Sequence, residues 1–257
     1  MITQNVTLRV NSELYESFRS YCKKNGLQVS QQFEIMMEEK VGPDYKNKVP
    51  IKKKESVDGS KEYVGSLTGE PFMIHENKII ADLLLKNNSI ASIKKSVVTE
   101  NLLGYRTVKS VPKRVNAIIK RISHLDQFLL SKIANDLSGD GKLVVLYSIY
   151  LNDRLFHEFM DEIIKERFLM RDFSFDKRII QKFISDKSDT DRKLQEFTRE
   201  TKAKLASVIF NVLEEAGLII EVEKSFKLKN QFISSELRNY LENKGDVKFL
   251  KSLGVSL

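Results

Sequence analysis

Apolar residues recur at helical spacing along most of this 257-residue chain, and this periodicity constrains its fold more than any other feature. Stripes spaced by three or four residues run through residues 12–41 and 71–217, as in amphipathic helices packed on a core. The alternating apolar pattern of a strand occurs only in residues 5–11 and 220–228. The sequence therefore predicts a mainly α fold with a few short strands.

Composition narrows the class of protein further. Hydrophobic residues make up 41% of the chain and charged residues 30%, which is a globular profile. The N-terminus lacks a basic and then apolar leader. The longest apolar run, Leu143–Leu151, is far shorter than the roughly 20 residues that a membrane span needs. We therefore expect a soluble, cytoplasmic protein that does not contact the membrane.

The sequence carries no pattern of catalytic or metal-ligating residues. Cys22 is the single cysteine, which excludes intrachain disulfides and cysteine zinc sites, and the three histidines lack metal-ligand spacing. Gly141-Lys142 lacks the other residues of a phosphate-binding loop, and Asp136–Gly141 matches only half of a calcium loop. The sequence predicts a protein that is not an enzyme and uses no metal or cofactor.

Positive charge is concentrated in one part of the chain. The whole chain has a net charge of +8, and residues 46–123 alone hold 16 basic and 7 acidic residues, which gives +9. The rest of the chain is therefore close to neutral. A basic block inside an otherwise neutral protein indicates contact with a polyanion, such as nucleic acid.

Residues 1–42 have the pattern of one strand followed by two helices. Ser12 can cap the first helix, Asn25-Gly26 separates it from the second, and Gly42-Pro43 ends the second. The strand at residues 5–11 has one apolar face, which so short a unit cannot bury by itself. This pattern predicts a partner for the strand.

The same order of elements resembles the ribbon-helix-helix family, in which two chains pair their strands into a ribbon that enters the major groove. The resemblance implies a homodimer formed through residues 5–41. It also implies base contacts from the outward side chains of the strand, which are Asn5, Thr7 and Arg9. Gln28 stands where the family often has a capping Ser or Thr. The alternative is an arm that dimerises without touching DNA.

Residues 43–62 lack periodicity and indicate a linker. The segment carries three consecutive basic residues, Lys52, Lys53 and Lys54. These lysines either attract DNA phosphates without sequence preference or belong to a solvated spacer.

Residues 63–124 predict three short helices joined by tight turns, which is typical of a helix-turn-helix unit. Asn88-Ser89 can cap the second helix, and the third begins near Ser110–Pro112, where proline is tolerated. The candidates for DNA contact lie around the start of the third helix and are Arg106, Lys109, Lys113, Arg114, Asn116 and Lys120, with Arg121 directly after them. The alternative is an ordinary solvated basic face.

The rest of the chain is predicted to form a helical core, residues 125–172, and a C-terminal part, residues 173–257. The apolar run at residues 143–151 predicts a buried central helix. In the C-terminal part, helices precede a hairpin with its turn at Lys224-Ser225, an order that resembles a winged helix. The groove-facing candidates there are Arg199, Lys202 and Lys204, with Glu196 and Glu200 as neighbours that weaken the case.

Several strings in residues 63–217 together resemble the BrxA family of bacterial BREX phage-exclusion systems. They are IHENKIIADLLL, VVTENLLGYRT, KRVNAIIKRI, LFHEFMDEIIKERF and TRETKAKLASVIFNVLEEAGLI. The resemblance implies a non-enzymatic, mostly helical component that binds double-stranded DNA in phage defence, with other BREX subunits as candidate partners. The ribbon-helix-helix-like segment lies outside the part that carries this resemblance.

The sequence leaves two other functions open. A ribbon-helix-helix transcriptional regulator would use the N-terminal unit to recognise an operator and the helical part to sense a partner. A scaffold subunit of the defence complex would use its basic block to contact other proteins rather than DNA.

Overall fold

The computed structural model describes residues 11–24, 29, 33, 36, 62–69, 71–86, 88–136 and 139–255. The chain forms two compact units, residues 1–54 and 55–257. Residues 5–10 of the predicted strand and the lysines at 52–54 lie outside the described residues.

The described part of the first unit contains one complete helix, α1, at Ser12–Lys24. Asn11 caps it, because the backbone N–H of Leu14 donates to Asn11 Oδ1 at 3.1 Å. The cap is therefore Asn11, one residue before Ser12, which is the cap that the sequence predicts. Phe18 on α1 meets Phe33 edge to face, with ring centroids 5.3 Å apart.

The second unit begins with three helices, α2 (Ile74–Leu85), α3 (Ile90–Thr99) and α4 (Val111–Ile122). They are the three predicted helices, and Ser89 caps α3 by accepting from the N–H of Ser92 at 3.1 Å. The connection between α3 and α4 differs from the prediction. It spans residues 100–110 and includes a 3₁₀ turn at Val108–Ser110, so it is much longer than the tight turn expected there.

The next helices form the centre of the second unit. They are α5 (Gln127–Asn135), α6 (Asp140–Asn152), α7 (Arg154–Phe159) and α8 (Lys165–Leu169), with a π-helical turn at Met160–Ile164 joining the last two. Residues 143–151 of α6 are buried on all sides, which confirms the predicted central helix. Helix α6 packs against α4, α5 and α7. The core therefore supports α4, the helix that carries several of the predicted DNA-contact residues.

The C-terminal part contains a three-stranded antiparallel sheet. Its elements are β1 (Ser174–Phe175), α9 (Lys177–Thr190), α10 (Arg192–Gln195), α11 (Arg199–Glu215), β2 (Ile219–Val222), β3 (Ser225–Leu228), α12 (Ser235–Lys244) and α13 (Val247–Ser252). The strand order is β1-β3-β2. Strand β1 is absent from the sequence prediction, because two residues carry no periodicity.

The hairpin turn lies one residue before its predicted place. Val222 pairs with Ser225, and the turn residues Glu223 and Lys224 have φ of 51° and 64°. Two successive residues at positive φ are typical of the type I′ turn that suits the twist of a two-residue hairpin. Ser225 therefore belongs to β3 rather than to the predicted Lys224-Ser225 turn.

A cluster of charged and tyrosine side chains joins the start of the second unit to its centre. Glu158 on α7 accepts from Tyr63 Oη at 2.6 Å and from Arg154 Nε at 2.7 Å. Lys187 on α9 lies 2.7 Å from Glu158 Oε2 and 2.6 Å from Glu162 Oε1. This set, named here the Glu158 cluster, links elements that are distant in sequence.

The mainly α fold is confirmed, and one apolar core runs through the second unit from Tyr63 to Leu253. Within the described ranges, no helix combines the length and the apolar character that crossing a membrane requires. In the same residues, no group of three or more His, Cys, Asp and Glu side chains could hold a metal ion.

Candidate nucleic-acid interface

A stripe of polar and basic side chains runs along the outer face of α4. Lys113, Asn116 and Lys120 are exposed on the helix, and Lys109 is exposed in the 3₁₀ turn just before it. Steps of three and four residues place helical side chains on one face. These four residues, with exposed Arg106 in the preceding loop, are named here the α4 stripe.

The opposite face of α4 explains why the stripe points outward. Val111, Val115, Ile118 and Ile122 are each at most 1% exposed and pack in the core. The helix is therefore strongly amphipathic, and burial of its apolar side fixes the direction of the basic one.

The carboxylates that the structure describes do not neutralise the cations of the α4 stripe. Arg106, Lys109, Lys113 and Lys120 make no ion pair with any carboxylate in the part of the chain that the structure describes. Lys132 shows the contrast, because its ammonium lies 3.4 Å from Asp140 and 2.7 Å from Glu236. The stripe therefore presents positive charge that an external anion can neutralise.

Arg114 is oriented differently from its neighbours. Its Nη1 donates to Tyr105 Oη at 2.9 Å, and its guanidinium carbon lies 4.7 Å from the centre of the Tyr105 ring. Tyr105 Oη in turn hydrogen-bonds to Glu76 on α2. Burial, followed by the hydrogen bond to Glu76, raises the pKa of Tyr105, so the tyrosine stays protonated and donates. Arg114 thus anchors the loop that carries Arg106 and Lys109.

Arg121 does not belong to the basic surface. It is 5% exposed, and its Nη1 donates to the carbonyl of Pro71 at 3.1 Å. The sequence placed it directly after the DNA-contact candidates, and the structure corrects this, because position 121 falls on the core side of α4. Its role is to hold the segment before α2.

The predicted cluster on α11 is only partly brought together. Arg199 and Lys202 line one groove with Gln181 and Ser185 of α9, and Asp189 lies in the same groove. Lys204, five residues after Arg199, lies on a different face of the helix. The first turn is fixed by Thr198, whose Oγ1 accepts from the N–H of Thr201 at 3.2 Å.

Two further exposed lysines were not predicted as DNA contacts from the sequence. Lys224 in the hairpin turn and Lys227 on β3 are both exposed and make no ion pair with a described carboxylate. The alternation of Lys227 with Phe226 and Leu228 is the signal that could have identified it, because it places the lysine on the solvent face of the strand.

Some predicted contacts cannot be placed on the fold. Asn5, Thr7, Arg9, Lys52, Lys53 and Lys54 lie outside the described residues. Among the described residues, the candidate interface therefore consists of the α4 stripe, with α11 and the hairpin as secondary basic surfaces.

Comparison with known proteins identifies the family. The sequence model of the BrxA family matches residues 61–245. A BREX protein BrxA from Bacillus cereus is 28% identical over 192 residues, which cover 75% of this chain and 92% of that protein. A BREX protein BrxA from Paramagnetospirillum magneticum is 20% identical over 195 residues, which cover 76% of this chain and 98% of that protein.

A solved structure has a similar fold. The crystal structure of an uncharacterized protein from Magnetospirillum magneticum superposes with a TM-score of 0.65 and 20% sequence identity, covering 76% of this chain and all of that one. The family match begins at residue 61, so the predicted ribbon-helix-helix segment lies before it. Because the match extends over most of the chain, and because the resemblance seen in the sequence is confirmed, the chain belongs to the BrxA family.

Proposed function

We propose that this protein is a non-enzymatic, double-stranded-DNA-binding component of a BREX phage-defence system. The names of its relatives support the system, since they are BREX proteins. The α4 stripe carries the DNA-binding part of the proposal, because its cations are exposed, form no ion pair with a carboxylate in the described ranges, and lie on a helix whose other face packs in the core.

The dimensions of the stripe suit a DNA backbone. At about 1.5 Å per helical residue, Lys109 and Lys120 are separated by roughly 16 Å along the axis of α4. Duplex DNA carries one phosphate about every 3.4 Å along each strand, so the stripe faces several phosphates in succession. Contacts of this kind position a protein on DNA without reading its sequence. Asn116 is the member of the stripe that can bond a base edge.

The C-terminal part supplies a second proposed contact. The order of α7 and α8, β1, α9, α11 and then the β2–β3 hairpin supports assigning a winged helix to this part. In such a unit α11 would enter the major groove, and Arg199 and Lys202 would contact bases or phosphates. The β2–β3 hairpin would be the wing, and its Lys224 would contact a flanking phosphate. The helix-turn-helix assignment of residues 63–124 remains part of the same proposal, with α4 as its groove-facing helix.

Titration of a labelled duplex at several salt concentrations tests the proposal. We expect fluorescence anisotropy to report an affinity that falls by about 10³–10⁵ between about 50 and 200 mM salt if six to ten phosphates are neutralised. A single strand of the same sequence is the control and should bind more weakly. A protein that fails to bind duplex even at about 50 mM salt contradicts the proposal and favours the scaffold role.

We further propose that the chain dimerises through residues 5–41. Leu14 and Tyr21 on α1 are 70% and 58% exposed, and Met36 is 48% exposed, which supports an apolar face left for a second copy. We expect light scattering to give twice the mass of one chain for the unaltered protein and the mass of a single chain for Leu14→Ser/Tyr21→Ser. A monomeric unaltered protein, or an unchanged dimer in the variant, contradicts this assignment.

A further inference from the structure

Large apolar side chains are exposed where α8 ends and β1 begins. Leu169, Met170 and Phe173 are 60%, 76% and 39% exposed, and Phe232, after the hairpin, is 86% exposed. Several exposed large apolar side chains mark an interaction surface, because their contact with water is unfavourable and burial against a partner would remove it. Neither the fold nor the α4 stripe accounts for them.

Two of these side chains, Leu169 and Phe173, line a groove. Its apolar lining comes from Phe168, Leu169, Phe173 and Val255, and Asn230 adds a polar edge. Gly254 allows the C-terminal segment to approach α8 closely, because a Cβ there would lie 2.7 Å from Phe168 Cε1, and its φ is +72°. The groove is therefore a built feature of the packing between α8 and the C-terminal segment.

The rim of the groove is positively charged. Arg171 and Lys251 line it, both are exposed, and neither forms an ion pair with a carboxylate among the described residues. Asp172, beside Arg171 in sequence, is already engaged by Arg167 at 2.7 Å and by Ser174 Oγ at 2.6 Å. Arg171 also has φ of +57°, in the region that favours glycine, where α8 ends.

We propose that this groove binds an acidic amphipathic segment of a partner protein. The partner would place apolar side chains on the groove lining and carboxylates against Arg171 and Lys251. The lining side chains Leu169 and Val255 are aliphatic and can pack against the apolar face of an amphipathic segment. Nucleic acid fits less well, because base stacking needs aromatic or guanidinium planes in sequence, and the lining is half aliphatic. The inference is independent of the proposed DNA contact at α4.

Three labelled peptides of about 18 residues test the charge and the apolar character of the partner. The first peptide has leucine at helical spacing of three and four residues and glutamate at the positions between the leucines. The second peptide has lysine in place of each glutamate. The third keeps the glutamates and has serine in place of each leucine. We expect fluorescence anisotropy with the full chain to show that the first peptide binds at least about tenfold more tightly than either of the others.

Two variants assign the binding to this groove. Arg171→Glu/Lys251→Glu should reverse the preference from the acidic to the basic peptide, and Leu169→Ser/Phe173→Ser should weaken the binding of both peptides. All four positions are exposed, so thermal melting should show unchanged folding, and duplex DNA binding through the α4 stripe should be unaffected.

Three results would overturn the inference. The first is no binding of the acidic amphipathic peptide up to about 1 mM, and the second is equal affinity for the acidic and basic peptides. The third is binding of a single-stranded oligonucleotide that is lost in Leu169→Ser/Phe173→Ser, which would make the groove a nucleic-acid surface instead.

Discussion

Replacement of Lys113 and Lys120 by glutamate is expected to lower the affinity for duplex DNA by about 10- to 100-fold at about 100 mM salt. Both lysines are exposed on α4 and pair with no carboxylate that the structure describes, so each substitution removes a proposed phosphate contact and adds repulsion. The slope of log affinity against log salt, which is negative, should also become shallower by about two, since about two fewer counterions are released. Anisotropy titrations of the double variant over the same salt series measure both quantities.

A control of equal charge separates this local effect from the loss of net charge. Lys182→Glu/Lys248→Glu changes the net charge by the same amount, but both positions lie outside the basic surfaces described above. Lys248 is 74% exposed and lies 3.8 Å from Asp161, a separation at which the pair adds little stability. We expect this control to keep most of the affinity. Equal losses in the two double variants would mean that DNA binding does not depend on the α4 stripe.

Gly69 offers a second route to Lys113 that leaves the lysine in place. A Cβ at position 69 would lie 3.6 Å from Lys113 Nζ, so the carboxylate in Gly69→Asp can form an ion pair with that ammonium. The variant should therefore reproduce part of the loss of affinity. Gly69→Ala is the matched control, because its methyl group makes only an ordinary contact there and adds no charge.

The helices were predictable because their apolar faces are periodic and their ends carry local signals. Ser89 caps the helix that the sequence assigned to it, and the run at residues 143–151 is buried as predicted. The long connection between α3 and α4 was not predictable, because it is fixed by the contact of Tyr105 with Glu76 on α2. Strand β1 likewise exists only through its pairing with β3.

The candidate interface was predictable in part for the same physical reason. Spacing along a helix places Lys113, Asn116 and Lys120 on one face, and this can be read without the fold. The sequence does not reveal that Arg121 points inward to the carbonyl of Pro71, since that contact joins residues 50 positions apart. The patch around Met170 was also missed, because an exposed apolar residue looks like a core residue in a sequence.

Glu158→Ala is expected to lower the free energy of unfolding by about 2–4 kcal/mol. Glu158 is only 17% exposed at its side chain and accepts from Tyr63, Arg154 and Lys187. Alanine would leave the Tyr63 hydroxyl partly buried without the carboxylate that accepts its hydrogen bond, and it would remove the acceptor of the Arg154 Nε–H. Lys187 would retain Glu162, which limits the loss. Urea denaturation measures the change.

Glu242→Ala is the matched control for that measurement. Glu242 pairs with Arg238 at 2.8 Å in the same i,i+4 arrangement as Arg154 and Glu158, but its side chain is 35% exposed. An exposed pair of this type is worth about 0.3–0.5 kcal/mol, so the control should lose little stability. If Glu158→Ala lowers the free energy of unfolding by no more than Glu242→Ala does, the Glu158 cluster does not stabilise the packing of the start of the second unit against its centre.

The pH dependence of Glu158→Gln tests whether charge is responsible. Burial alone would raise the pKa of Glu158, but hydrogen bonds from Lys187, Tyr63 and Arg154 outweigh burial and hold the pKa below its ordinary value of 4.5. A carboxylate whose folded pKa is depressed stabilises the protein above its unfolded pKa, and this stabilisation is lost as the pH falls through the folded pKa. The unaltered protein should therefore be more stable than Glu158→Gln near neutral pH, and the difference should shrink as the pH falls below about 4.5. A difference that stays constant over this range would show that the glutamate acts through its shape and hydrogen bonds rather than through its charge.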